Sequence, residues 1–195
     1  MITLPVEEGL RLRTLDLHDA EELFALTDSC RRYLREWLPW LDATQSVGDT
    51  RTFIESALRQ LAANAGFQMG IWHAERLVGV IGYHHHDWMN RSTNIGYWLE
   101  EHYQGRGIMT KSCSALVEYA FESWSMHRVE IRCAVGNLKS RGIPERLGFQ
   151  QEGLLRDAEW LYNHYVDHIV YGMLAEEWKS PLRVGNEQFA RITSS

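Results

Sequence analysis

The clearest chemistry in this chain lies in the segment Gln104-Gly105-Arg106-Gly107-Ile108-Met109-Thr110. Two glycines one residue apart let a backbone curl with its N–H groups pointing inward. A helical pattern begins directly afterwards, and a helix start adds unsatisfied N–H donors and a partial positive charge. Together these features make a cradle for a phosphate or pyrophosphate, to which Arg106 can add a direct charge contact. Two other cradles are excluded by spacing. A dinucleotide fingerprint needs a third glycine where Thr110 stands, and G-x-x-x-x-G-K-[ST] is absent. A bare G-x-G is equally an ordinary loop ahead of a helix, so its surroundings must decide.

Other reactive side chains have two readings each. Cys133 falls on an expected strand and is either a nucleophile or core packing. Glu159, in Ala158-Glu159-Trp160, is expected between the last two strands, as a proton acceptor or a solvated turn residue. Glu100 and Glu101 are expected to be exposed. His84-His85-His86-Asp87 invites a metal reading, but adjacent strand residues point to opposite faces, so three in a row cannot close on one ion without a special turn. One of these histidines can still serve as a base or substrate contact. Trp37 and Trp40 flank Pro39 and either wall a slot or fill core.

The elements that position these groups follow from periodicity. Leu10 to Arg13 alternates like a half-buried strand. Asp16 can cap a helix with the stripe Ala20, Leu23 and Phe24. Ser46-Val47-Gly48-Asp49 resembles a capping box ahead of a helix whose apolar face is Phe53, Ile54, Ala57, Leu58 and Leu61. From Phe67 the period becomes two. Strands are predicted over 67–73, 77–84 and 94–99, the first two joined by a turn near Ala74-Glu75-Arg76. A helix after the glycine loop carries Leu116, Val117, Ala120, Phe121 and Trp124. A strand at 128–135, a short helix at 138–147 stopped by Gly148, and strands near 149–158 and 165–175 complete the order. The helix between the strands at 94–99 and 128–135 lets those two run parallel. The fold class is therefore α/β (α+β): a mixed, mostly antiparallel sheet of about seven strands, with one parallel pair near its middle and flanking helices.

Composition narrows the function. The 195 residues, 45% hydrophobic and 24% charged, fit one globular domain with a loose polar tail at 179–195. A formal charge of −6 argues against general nucleic-acid binding and suits a cationic partner. Three cysteines without a C-x-x-C pair argue against a disulfide framework or a cysteine zinc site. The N-terminus lacks the pattern of a signal peptide, and no run reaches the ~20 apolar residues of a membrane span. The chain reads as cytoplasmic, with no membrane partner; assembly with copies of itself is left open.

The loop resembles the Q/R-x-x-G-x-G/A pyrophosphate-binding motif of GNAT acetyltransferases. Gln104 and Gly107 are in register, and Met109 stands where Gly or Ala is usual. Ile95-Gly96-Tyr97-Trp98-Leu99, Asn137-Leu138-Lys139-Ser140 and Leu147-Gly148-Phe149 agree with that pattern. Gly-Tyr-Trp-Leu before the loop and Gly-Ile-Met-Thr within it resemble the subgroup typified by RimL and RimJ, which acetylates ribosomal-protein N-termini. The resemblance spans residues 8–178 as a single domain and implies acetyl-CoA as co-substrate, no metal, and transfer of the acetyl group directly to a primary amine. The favoured acceptor is a protein N-terminus, of ribosomal type. It implies that backbone N–H groups near Trp98 and Leu99 bond the pantetheine arm or polarise the thioester carbonyl, with Gln104 to Thr110 on the pyrophosphate. Asn137 would contact the arm, Ser140 the departing thiolate, and Glu159 would deprotonate the amine. One departure stands out. Many relatives carry a Tyr general acid four residues before the Gly of the Gly-Phe pair, and Pro144 occupies that position here. This leaves Ser140, Cys133 or water as the acid, and predicts an interrupted helix. A small-amine acceptor and a non-catalytic acyl-CoA sensor are the rival readings.

Overall fold

A computed structural model describes residues 1–180; the tail expected at 179–195 lies outside the described residues from 181 onward. Eight strands form one sheet in the order β1-β2-β3-β4-β5-β6-β8-β7. They are β1 (Thr3–Glu7), β2 (Leu10–Thr14), β3 (Phe67–His73), β4 (Arg76–Asp87), β5 (Ser92–Leu99), β6 (Arg128–Ala134), β7 (Gln150–Leu161) and β8 (His164–Leu174). The helices are α1 (Ala20–Ser29), α2 (Arg31–Leu34), α3 (Val47–Ala62), α4 (Ile108–Trp124) and α5 (Leu138–Arg146). No helix of the described residues is long and apolar enough to cross a membrane.

β1 is the strand that the sequence reading does not contain. It pairs antiparallel with β2 at the sheet's edge, where Pro5 is tolerated despite its missing N–H. β3 and β4 meet through Ala74 and Glu75, both at positive φ (47° and 64°). That is the two-residue turn whose twist matches a hairpin. β3 is buried on nearly every residue because helices cover both its faces. Met69 and Ile71 join the core under α4, while Trp72 joins the core under α1 and α3. Strict alternation is lost for the same reason.

The helix starts follow the expected chemistry with local changes. Asp16 caps a 3₁₀ turn at Leu17–Asp19, in a capping box with Asp19, and α1 follows from it. Ser46 caps α3, accepting from the Asp49 N–H at 3.2 Å, but the Asp49 carboxylate accepts from the Gln45 N–H at 3.0 Å. On α3, Ile54 and Ala57 are buried as predicted. Phe53 is 42% exposed, so it lies outside the apolar face.

The parallel pair positions the site. β5 and β6 are paired only from Ser92↔Arg128 to Ile95↔Ile131. Beyond that, β5 stays paired to β4 as far as Gly79↔Leu99, and β6 stays paired to β8 as far as Ala134↔His168. Both strands therefore continue without each other, and the sheet is split between 96–99 and 132–134.

Candidate active site

The split opens beside the glycine loop. Gly105 and Gly107 both adopt positive φ (72° and 76°), the region glycine enters without steric cost. Gly107 is the N-cap of α4, and its carbonyl takes the first helical bond, from the Lys111 N–H at 3.0 Å. The N–H groups ahead of Lys111 are thus the helix's unsatisfied donors. The residues that carry them line a cavity of about 800 Å³, together with Tyr97, Trp98 and Leu99 of β5 and with Asn137 and Ser140. Ile108 and Met109 are buried, which anchors the loop in the core.

Side chains brace the loop from three directions. The Gln104 amide donates to the Tyr33 hydroxyl, and its oxygen accepts from Lys139 Nζ at 2.9 Å. Thr110 Oγ1 accepts from Arg146 Nη2 at 3.0 Å. Arg106 is exposed, with its guanidinium 5.3 Å from the Tyr103 ring centroid. Lys139 and Arg146 place two cations beside the helix start. Sequence reasoning missed both, because their nearness to the loop comes from α5 packing on α4 rather than from spacing.

Across the cavity, Asn137 caps α5 by accepting the Ser140 N–H at 3.1 Å. Ser140 Oγ lies 3.2 Å from Cys133 Sγ. Tyr97 enters the same cluster from β5. Its hydroxyl donates to the Ser140 carbonyl at 3.0 Å and lies 3.9 Å from Cys133 Sγ. Burial pushes the Tyr97 phenol well above its ordinary range and raises the Cys133 thiol, so both groups hold their protons.

Pro144 does not interrupt α5, contrary to expectation; the helix runs through it from Leu138 to Arg146. The proline removes the bond that residue 144 would donate to the Ser140 carbonyl, and Tyr97 supplies the replacement. The helix ends as predicted, with Gly148 at φ 80°. Phe149 N–H bonds the Pro144 carbonyl and Gly148 N–H the Glu145 carbonyl, the paired bonds of a Schellman stop.

Glu159 lies within β7 rather than in a turn, correcting the sequence reading. The β7–β8 register runs from Leu155↔His168 to Glu159↔Val166, so β7 carries two extra residues in that interval. Asp157 takes φ 48° there, and its N–H donates to Asp167 Oδ1 at 2.8 Å. Glu159 Oε2 is 3.3 Å from His168 Nε2, a partner that sequence reasoning missed because the register slip decides it. Glu101 is exposed and lines the cavity, whereas Glu100 is half-buried, 3.4 Å from His102. The three histidines separate: His84 and His85 are exposed, and His86 turns into the core. Among the described residues no three His, Cys, Asp or Glu side chains gather as a metal site. Trp37 lines the cavity, and its ring lies 3.3 Å from where a Cβ on Gly136 would stand. Trp40 packs against Trp98 in a small core beneath α2.

A mixed sheet split at its one parallel pair, with a glycine-capped helix opening onto the split, is the architecture of an acyl-CoA-dependent transferase. Residues 9–150 match the family described as acetyltransferase (GNAT) domain, and the chain belongs to that family. The putative ribosomal N-acetyltransferase YdaF of Bacillus subtilis (strain 168) is 38% identical over 180 residues, covering 92% of this chain and 98% of that protein. The ribosomal-protein-serine acetyltransferase of Escherichia coli (strain K12) is 30% identical over 174 residues, covering 89% and 97%. A solved structure of RimL, a ribosomal alpha-N-protein acetyltransferase in complex with coenzyme A, superposes with a TM-score of 0.86 at 28% identity. The match covers 89% of this chain and 98% of that one. Within the family the chain is therefore of the RimL/RimJ-like kind.

Proposed function

We propose that this enzyme transfers the acetyl group of acetyl-CoA to the α-amine of a protein N-terminus, of ribosomal-protein type. The observation that carries the reading is the single cavity joining the α4 N-terminus to the β5–β6 split, with Ser140 on its wall. The donors of residues 105–110, with Lys139 and Arg146 beside them, suit a pyrophosphate in charge and direction. The split between 96–99 and 132–134 leaves strand N–H groups without a ladder partner, and those near Trp98 and Leu99 suit the pantetheine arm and the thioester carbonyl.

The amine nitrogen attacks the thioester carbon, its proton leaves towards the negative charge of Glu159, and the C–S bond breaks. Ser140 Oγ, 3.2 Å from Cys133, is placed to donate to the departing thiolate. Cys133 itself stays a protonated packing residue, since burial raises its thiol. An N-terminal α-amine suits such a site because its reference pKa near ~8 lies well below the ~10.4 of lysine. Relatives named for ribosomal-protein acetylation support the same acceptor class. Thiol release from acetyl-CoA, measured across N-terminal peptides and small amines, tests the reading. Turnover on peptides is expected; turnover confined to small amines, or none at all, would overturn it.

A further inference from the structure

Past Ile95↔Ile131 no ladder pairing closes the sheet between β5 and β6. Cys133 belongs to the core face beneath α4, while its neighbour Ala134 points to the opposite face. On that opposite face β8 sets His168 directly across from Ala134. Glu159 stands one strand farther out, with Oε2 3.3 Å from His168 Nε2. Strands are roughly 4.8 Å apart, so Glu159 is about 10 Å from β6 and His168 about half that. Neither Glu159 nor His168 is among the described residues lining the cavity, so an amine meets them only where it enters the split beside Ala134. A carboxylate so placed needs a group between itself and an amine that reaches the thioester through the split.

We propose that His168 is the group that first receives the proton of the attacking amine, with Glu159 as its positioning partner. The inference rests on the acetyl-transfer reading above and names the atom on which it depends. Nε2 faces the Glu159 carboxylate, which favours the tautomer with its proton there and leaves the Nδ1 lone pair to accept. The nitrogen–carbon bond forms as the amine proton passes to Nδ1. The carbon–sulfur electrons leave with the thiolate, which Ser140 or water protonates. The resulting imidazolium lies against Glu159 and later loses its proton to solvent. The His168 side chain is 15% exposed, so that charge needs its counter-ion. Arg156 and Asp157 lie in the β7 bulge between Leu155 and Glu159, and two further charged groups are engaged elsewhere. Asp167 accepts from the Asp157 N–H, and the Arg132 guanidinium bonds Glu130 at 2.6 Å.

The test compares His168→Gln, Glu159→Gln and the double variant, with acetyl-CoA and an N-terminal peptide, from pH 6.5 to beyond the amine's pKa. Both single variants should lose about 10²-fold in kcat at neutral pH and recover as the amine arrives unprotonated. The double variant should lose no more than the worse single, because the two residues act as a unit. An unchanged KM for acetyl-CoA shows that each variant is folded. Wild-type kcat in His168→Gln beside an impaired Glu159→Gln overturns the inference and leaves the function reading intact. Losses that multiply in the double variant also overturn it. Should the wild type use only small amines, the acceptor reading fails, and the same profiles run with such an amine still decide His168.

Discussion

The Tyr97 hydroxyl donates to the Ser140 carbonyl at 3.0 Å, taking the acceptor that Pro144 leaves without its helical donor. The position where the family resemblance implies a tyrosine acid thus carries a proline here, and a different tyrosine, from β5, closes the gap it makes. The bond ties α5 to the strand that borders the split. It also fixes the turn of helix bearing Ser140.

Tyr97→Phe should therefore destabilise the fold by about 1–3 kcal/mol, the cost of a part-buried carbonyl left unpaired. Pro144→Ala restores an N–H four residues after Ser140. The same Tyr97→Phe change in a Pro144→Ala background should then cost clearly less. Denaturant midpoints of the four proteins measure the coupling, and strict additivity would refute this account of Tyr97.

Gly107→Val should weaken acetyl-CoA binding at least tenfold. Its φ of 76° opposes a β-branched residue, and a side chain there would crowd the approach to the α4 donors. A Cβ alone meets nothing nearer than Lys111 Cε at 3.8 Å, so Gly107→Ala is the gentler control and should lose less. Calorimetry with CoA reads both; unchanged affinity in a folded Gly107→Val would remove the loop from the binding site.

Ser140→Ala should lower kcat by 10-fold or more, with a smaller change in the KM for acetyl-CoA, if its hydroxyl assists the thiolate. Single-turnover rates isolate the chemical step. A variant with wild-type kcat would leave Ser140 as a packing partner of Cys133, 3.2 Å away.

Local chemistry was the legible part of this fold. Gly107 and Gly148 declared a cradle and a helix stop because each needs a positive φ that few other residues accept. The alternation Val129, Ile131 and Cys133 announced β6, and the long helix between β5 and β6 announced their parallel pairing. Long-range register was not legible. β1 hid behind Pro5, which has no strand preference, and β4 ran on to Asp87 because β5 offers partners as far back as Ser92. Glu159 acquired His168 through two extra residues in β7, and no period in the sequence marks that slip. Pro144 misled for a related reason: its compensation comes from Tyr97, 47 positions earlier.

His86 supplies the last prediction. It is 6% exposed, and neither ring nitrogen has a hydrogen-bond partner among the described residues. Its ring centroid lies 4.4 Å from that of Trp124, 5.2 Å from that of Trp88 and 5.3 Å from that of Tyr83. Burial lowers its pKa, the Asn64 backbone opposes that, and His85 adds a smaller lowering. The Asn64 carbonyl is already taken by the Trp88 indole at 2.7 Å. The sign follows from linkage. Above the unfolded value near ~6.5 both states are neutral, and His86 adds no pH dependence. As pH falls below it, the unfolded chain binds the proton first, so stability declines until the folded-state pKa is passed. Each unit of depression is worth about 1.4 kcal/mol once that point is reached. His86→Phe keeps an aromatic ring in the cage and removes the titration. The stability difference between wild type and His86→Phe should therefore shift in the variant's favour between pH 7 and pH 5. Urea unfolding at several pH values in that window measures the shift, and a constant difference would show that His86 is protonated equally in both states.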